Sequence, residues 1–349
     1  MSGASVVDHL TDRHPKVTPE RLVAGLVPPP TFADVSFDTY RPDPGEPSQT
    51  AAVQKCRAFC EQAVQRRAGK KKLFGKREVL PGVGVYLDGG FGVGKTHLLA
   101  STYYALSADD AGPAAFATFG ELTQLAGVFG FLECIELLSE YVVVCIDEFE
   151  LDDPGNTTLI SRLLSALVER GVSVAATSNT LPEQLGEGRF AAQDFLREIN
   201  TLAGIFTTVR IEGPDYRHRD LPPAPVPPSD DEVRDEAAGV AGATLDDFDA
   251  LCAHLATMHP SRYQALIEGV SEVFITGVHT IDDQSVALRL VSLTDRLYDA
   301  GIPVVSSGAK LDTIFSEEML AGGFRKKYLR ATSRLLALTA AGQAGRTIT

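Results

Sequence analysis

The chain has 349 residues, 44% of them hydrophobic and 22% charged, enough apolar content for one large or two moderate domains, which excludes wholesale disorder. A formal net charge of −14 argues against broad, nonspecific nucleic-acid binding, and no run of about eighteen uncharged apolar residues exists to span a membrane, so a soluble, cytoplasmic protein is expected. Cys56, Cys60, Cys134, Cys145 and Cys252 are scattered and odd in number; neither they nor the seven histidines show metal-ligand spacing, so free buried thiols are expected.

Residues 1–80 read as an N-terminal adaptor region. Pro28-Pro29-Pro30 and the Pro/Gly-rich stretch from Arg41 to Pro47 interrupt it. Ala52, Val53, Cys56, Phe59, Cys60 and Val64 then recur at spacings of three and four, which predicts an amphipathic helix from Thr50 to Gln65. Arg66, Arg67, Lys70, Lys71, Lys72, Lys76 and Arg77 form the densest basic run, read either as a solvated loop or as a contact for nucleic acid or an acidic partner.

Val83, Val85 and Leu87 alternate with small or polar residues as in a strand, and Lys95 to Leu106 carries apolar residues at helical spacing. Between them, Gly89-Gly90-Phe91-Gly92-Val93-Gly94-Lys95-Thr96 satisfies G-x-x-x-x-G-K-[ST], the loop that wraps nucleotide phosphates. Four glycines in eight residues let backbone N–H groups converge on one anion without side-chain obstruction. In this pattern Lys95 sets a point charge on the β- and γ-phosphates of ATP, Thr96 offers its hydroxyl to Mg²⁺, and His97 follows in the first helical turn as a further nucleotide-binding residue.

Ala114 to Thr118 reads as one intervening strand. Tyr141 to Ile146 is a continuous apolar run ending in Asp147-Glu148, as expected of a parallel strand buried on both faces. At such a C-terminal strand end Asp147 can reach Mg²⁺, directly or through water, while Glu148 orients and polarises the attacking water. A helix from Thr157 to Arg170 and a strand from Val172 to Thr177 follow, ending in Ser178-Asn179; Asn179 is placed to hold the lytic water with Glu148 and to sense the γ-phosphate. Together with a strand from Phe206 to Ile211, these elements predict a P-loop NTPase core of the AAA+/ASCE type over residues 81–220, with a central parallel sheet.

Residues 221–245 read as a Pro-rich acidic linker. Phe248, Leu251, Cys252 and Leu255 form a helical stripe, Val273 and Ile275 suggest a strand, Ser285 to Tyr298 a helix and Val304 to Ser307 another strand. Residues 246–340 are therefore expected to be mixed α/β with a helical lid, and residues 341–349 a flexible tail.

Ile146-Asp147-Glu148-Phe149, Thr177-Ser178-Asn179, Gly213-Pro214-Asp215-Tyr216-Arg217 and Tyr328 to Leu335 occur in the order seen in the ZapE, or AFG-like, family of AAA+ ATPases, which the chain resembles from about Pro81 to Leu338. The resemblance implies ATP and Mg²⁺, a homo-oligomer, and a protein partner that in this family belongs to the bacterial division machinery. It also implies an arginine supplied across a subunit boundary, for which Arg189 and Arg197 are candidates, and a phosphate-sensing arginine on a closing lid, for which Arg334 is preferred and Arg330 is its i,i+4 neighbour. The segment from Ala114 to Ser139 lacks the family's His- and Arg-rich stretch, Glu150 to Asn156 differs from its usual residues, and Arg197 stands where Pro is usual. A helicase-loader-like ATPase acting on DNA and a non-hydrolysing nucleotide-dependent scaffold are the two alternatives.

Overall fold

The structure, a computed structural model, describes residues 7–16, 18–69, 79–108, 112–149, 154–181, 196–214 and 226–344. The chain divides into two compact units, one made of Thr18–Pro28 and Phe32–Tyr216, the other of Met1–Val17, Pro29–Thr31 and Arg217–Thr349. The expected adaptor region is thus shared between both units.

The first unit contains α1 (Pro19–Ala24), α2 (Pro47–Ala68), β1 (Gly84–Gly89), α3 (Lys95–Ser107), β2 (Ala114–Thr118), α4 (Phe119–Phe129), α5 (Phe131–Ser139), β3 (Val143–Asp147), α6 (Pro154–Glu169), β4 (Ser173–Ser178), α7 (Leu196–Ile205) and β5 (Phe206–Ile211). All five strands run parallel in the order β2-β3-β4-β1-β5, the central parallel sheet expected from the motifs. Alternate residues of each strand face opposite helical layers. Val85, Leu87, Val143, Cys145 and Ala175 pack with α2 and α3, whereas Tyr86, Val144, Ile146, Val174 and Ala176 pack with α4 to α7. Burial on both faces explains the unbroken apolar run of β3 and the apolar centre of β4.

All five cysteines are free, and burial pushes the Cys56 and Cys60 thiols up to about 12, which makes them inert. No single described helix is long and apolar enough to cross a membrane. The bent pair α4 and α5 passes that test together, yet Leu122, Leu125, Cys134, Ile135 and Leu138 are buried in the core beneath the sheet.

The second unit contains α8 (Asp230–Ala237), β6 (Ala243–Asp247), α9 (Phe248–Ala256), α10 (Tyr263–Leu266), β7 (Glu272–Val278), α11 (Gln284–Ala300), β8 (Val304–Gly308), α12 (Glu317–Ala321) and α13 (Arg325–Ala344). Its three strands are parallel in the order β6-β7-β8, so the expected mixed α/β character is present. Residues 7–16 complete the β6 edge: Leu245 N donates to Asp8 O at 3.0 Å, and the Asp246 carboxylate accepts from Leu10 N (2.9 Å), Thr11 N (3.1 Å) and Thr11 Oγ1 (2.8 Å). Leu10 is fully buried in the same core.

Two expectations are corrected here. Within the expected linker, Ser229 and Glu232 form a reciprocal capping box that starts α8, whose Val233 and Ala237 pack on Ala243, Phe274 and Val305. The tail expected from residue 341 is still helical through Ala344, because the alanine-rich end of α13 favours helix. Residues 345–349 lie outside the described ones, as do residues 221–225 of the linker.

Arg330 and Arg334 share one face of α13, and that face meets Asp295 of α11: Arg330 Nη2 donates to Asp295 Oδ2 at 2.8 Å and Arg334 Nη1 to Asp295 Oδ1. The Arg334 guanidinium also lies 5.1 Å from the Tyr298 ring centre. Both arginines are less than a tenth exposed, so this face of α13 meets protein rather than solvent. Removing the carboxylate takes the shared counter-charge from two buried cations. Asp295→Ala is therefore expected to destabilise the second unit by about 3 kcal/mol, measured by urea unfolding.

Candidate functional site

The nucleotide loop begins where β1 stops. A Cβ on Gly89 would lie 2.3 Å from the Ile211 carbonyl of β5, so only glycine lets the two strands pair there. Gly92 (φ 66°) and Gly94 (φ 84°) occupy the left-handed region, and the space beside the Gly90 Cα is open, leaving a cradle that side chains would fill. Gly94 is the residue before α3 and carries no side chain to cap it, so the first amides of α3 suit an anion. The loop is therefore fit for phosphates in both shape and donor chemistry. Asp88, fully buried one residue before the loop, is offset by a hydrogen-bonded ion pair with Arg210 of β5.

The sheet order sets β4 between β1 and β3, and this brings three separate motifs together. Lys95 Nζ donates to Gly89 O (2.9 Å), to Gly90 O and to Asn179 Oδ1 (2.7 Å), so the loop lysine and the β4 tip are already in contact. Thr96 Oγ1 lies 3.2 Å from each Asp147 carboxylate oxygen. A hydroxyl and a carboxylate converging at that distance form the oxygen-donor set that Mg²⁺ prefers, and both residues fit that ion.

Thr177, which the sequence offers only as part of the Thr177-Ser178-Asn179 motif, is a further site residue. Its hydroxyl donates to Asp147 Oδ1 and accepts from Glu148 N at 3.1 Å, so one β4 side chain holds the Asp147 carboxylate and the Glu148 backbone just beyond β3. Its carbonyl accepts from Phe149 N at 2.7 Å. Phe149 is fully buried, with edge-on contacts to Tyr86, Phe119 and Phe206. Anchored on both sides, Glu148 adopts φ 54°, the only positive φ at a described non-glycine residue. That conformation costs on the order of 1–2 kcal/mol and persists because its neighbours enforce it. The D-E-F order thus has a mechanical meaning: Asp faces Thr96, Glu is turned out of the strand, and Phe locks the turn. The signal for Thr177 was its place at the head of the Thr177-Ser178-Asn179 motif, which gives it no chemical role by itself.

His97 faces residues 36–40, with Nε2 3.0 Å from Ser36 O and 3.1 Å from Thr39 Oγ1, and burial holds its pKa below the ordinary value. Phe91 and Val93 lie in the loop itself. Arg197 is exposed on α7. Arg189, Glu150, Asp215, Tyr216, Arg217 and Lys70 to Arg77 lie outside the described residues. Arg334 sits in the second unit, engaged with Asp295.

A parallel sheet in this order, with a glycine-rich loop after β1, an Asp-Glu pair after β3 and a polar tip on β4, defines a P-loop ATPase of the AAA+ type. The AFG1-like ATPase family model matches residues 16–241 and 230–347, and the chain belongs to that family of ATP-binding, ATP-hydrolysing proteins. It is 29% identical over 297 residues to the cell division protein ZapE of Escherichia coli (strain K12), covering 73% of this chain and 79% of that protein. It is 30% identical over 106 residues to lactation elevated protein 1 homolog B of Danio rerio, covering 30% of this chain and 21% of that protein. A crystal structure of the DnaC helicase loader superposes with a TM-score of 0.39 at 19% identity, over 52% of this chain and 99% of that one, a likeness too distant to carry an inference.

Proposed function

We propose that this chain couples Mg²⁺-dependent ATP hydrolysis to the remodelling or regulation of a protein partner in the bacterial cell-division machinery, as a cytoplasmic homo-oligomer. The observation that carries the chemical part is the convergence of Lys95 with Asn179, of Thr96 with Asp147, and of Glu148 N with Thr177, from three neighbouring strand ends. The division role is supported by the name of the Escherichia coli relative alone.

In this reading the amides of Gly89 to Gly94 and the Lys95 ammonium bind the phosphates. Thr96 and Asp147 would hold Mg²⁺, which when bound neutralises charge on the phosphates. Glu148 orients a water and takes its proton, and Asn179 exchanges its contact with Lys95 for one near the γ-phosphate. Arg189, with Arg197 as the other candidate, acts from a neighbouring copy on the charge of the transferring phosphoryl group. A phosphate-sensing role for Arg334 requires its guanidinium to leave Asp295.

The test is affinity capture from bacterial cytosol with Glu148→Gln, which stalls the cycle after ATP binds. A division-ring component retained with ATP and released by ADP or by a chelator is the expected result. Retention that ignores nucleotide, or capture of no division protein, overturns the proposed coupling.

A further inference from the structure

Residues 32–46 form a strap that ends at α2. Phe37 is buried with Phe32 and Val35 in the α2/α3 core. Next to it Ser36 and Thr39 close a tight turn: Thr39 Oγ1 donates to Ser36 O (2.9 Å), and Ser36 N donates to Thr39 Oγ1 (2.8 Å). Because Ser36 O can only accept, His97 Nε2 carries the proton and donates to it, pinning the turn to the first turn of α3. At the other end Gln49 of α2 accepts from Asp43 N at 2.8 Å and donates to Glu212 O at 2.9 Å, beyond β5. The strap is therefore fixed on both sides of Tyr40.

Tyr40 touches the phosphate loop itself. Its hydroxyl donates to Val93 O at 2.7 Å, its ring meets His97 edge-on at 5.5 Å, and a Cβ on Gly94 would lie 2.4 Å from Tyr40 Cε2. A trans peptide is planar with its C=O and N–H opposed, so drawing Val93 O onto the Tyr40 hydroxyl turns the Gly94 N–H away from that hydroxyl. In a loop that binds anions through its amides, the direction of that N–H matters.

We propose that Tyr40 is a positioning residue for the nucleotide site: its hydroxyl on Val93 O and its ring on Gly94 hold the loop in the shape that receives a polyphosphate. The proposal rests on the reading of Gly89 to Thr96 as the phosphate loop. Tyr40 acts on the ligand only through that backbone, so its removal affects the phosphate part of any ligand equally, whatever base is attached.

The experiment compares wild type and Tyr40→Phe for binding of ADP and of inorganic pyrophosphate, alongside the unfolding midpoint of the free protein. The expected result is a similar loss of affinity for both, on the order of 3- to 10-fold for one hydrogen bond, with the midpoint unchanged and KM for ATP altered more than kcat. Unchanged pyrophosphate affinity overturns the proposal, whether ADP binding is intact or weakened alone, since the latter assigns Tyr40 to the nucleoside. Pyrophosphate binding that survives Lys95→Ala would instead defeat the phosphate-loop reading, independently of Tyr40.

Discussion

Lys95→Ala is expected to lower steady-state ATP hydrolysis by about 10²–10³, the range found when a preorganised charge or donor is taken from a reacting centre, and to weaken ATP binding with it. The lysine contacts two loop carbonyls and Asn179, which hold the ammonium at the mouth of the loop. Alanine favours helix and Lys95 is the first residue of α3, so the fold should tolerate the change. The unfolding midpoint should therefore move little while nucleotide no longer raises it, which separates a lost charge from a lost fold. Full ATPase activity in this variant would overturn the assignment of the loop.

Glu148→Gln separates binding from chemistry. The glutamine has nearly the same shape, and its backbone N–H keeps the hydrogen bond to Thr177, so the strained conformation at φ 54° and the Asp147–Thr96 pair should survive. Only the ability to accept a proton is removed. ATP affinity should be retained, and single-turnover hydrolysis should fall by about 10²–10⁴, the usual contribution of a positioned general base. Turnover equal to wild type would remove Glu148 from the reaction and move the water-activating role elsewhere.

The two variants probe residues that were readable in advance, because each lies in a short motif whose chemistry is local. Gly89 to Thr96 needs glycine where the backbone turns left-handed, and Tyr141 to Glu148 is apolar until it emerges from the sheet. Thr177 and Tyr40 were not readable in the same way. A threonine in a β-strand and a tyrosine in a Pro/Gly-rich stretch are ordinary residues until the sheet order lays Thr177 beside Asp147 and the strap lays Tyr40 across Gly94. β6 escaped notice for a related reason: Asp246 looks unsuited to a buried strand, but residues Leu10 and Thr11 satisfy its carboxylate from the far end of the chain. At α8 the signal was present, in the Ser229–Glu232 capping box, but the proline and acid content around it suggested a linker.

The helical spacing of Arg330 and Arg334 was readable, and their surroundings were not. An i,i+4 relation says that two side chains share a face, and it leaves open whether that face meets solvent, nucleotide or protein. Asp295 and Tyr298 occupy that face here.

By itself the sequence determined that this protein has a phosphate loop, an Asp-Glu strand end and a polar strand tip, because glycine dihedrals, buried apolar runs and strand termini are set by neighbours a few residues away. The tertiary structure alone decided that β4 lies between β1 and β3, so that Lys95 meets Asn179 and Thr177 holds the Asp147 carboxylate and the Glu148 backbone. It also decided that residues 7–16 edge the second sheet. Those pairings join residues from about 30 to more than 230 positions apart, and contacts at such separations follow from packing of the sheet and its helices rather than from any local pattern.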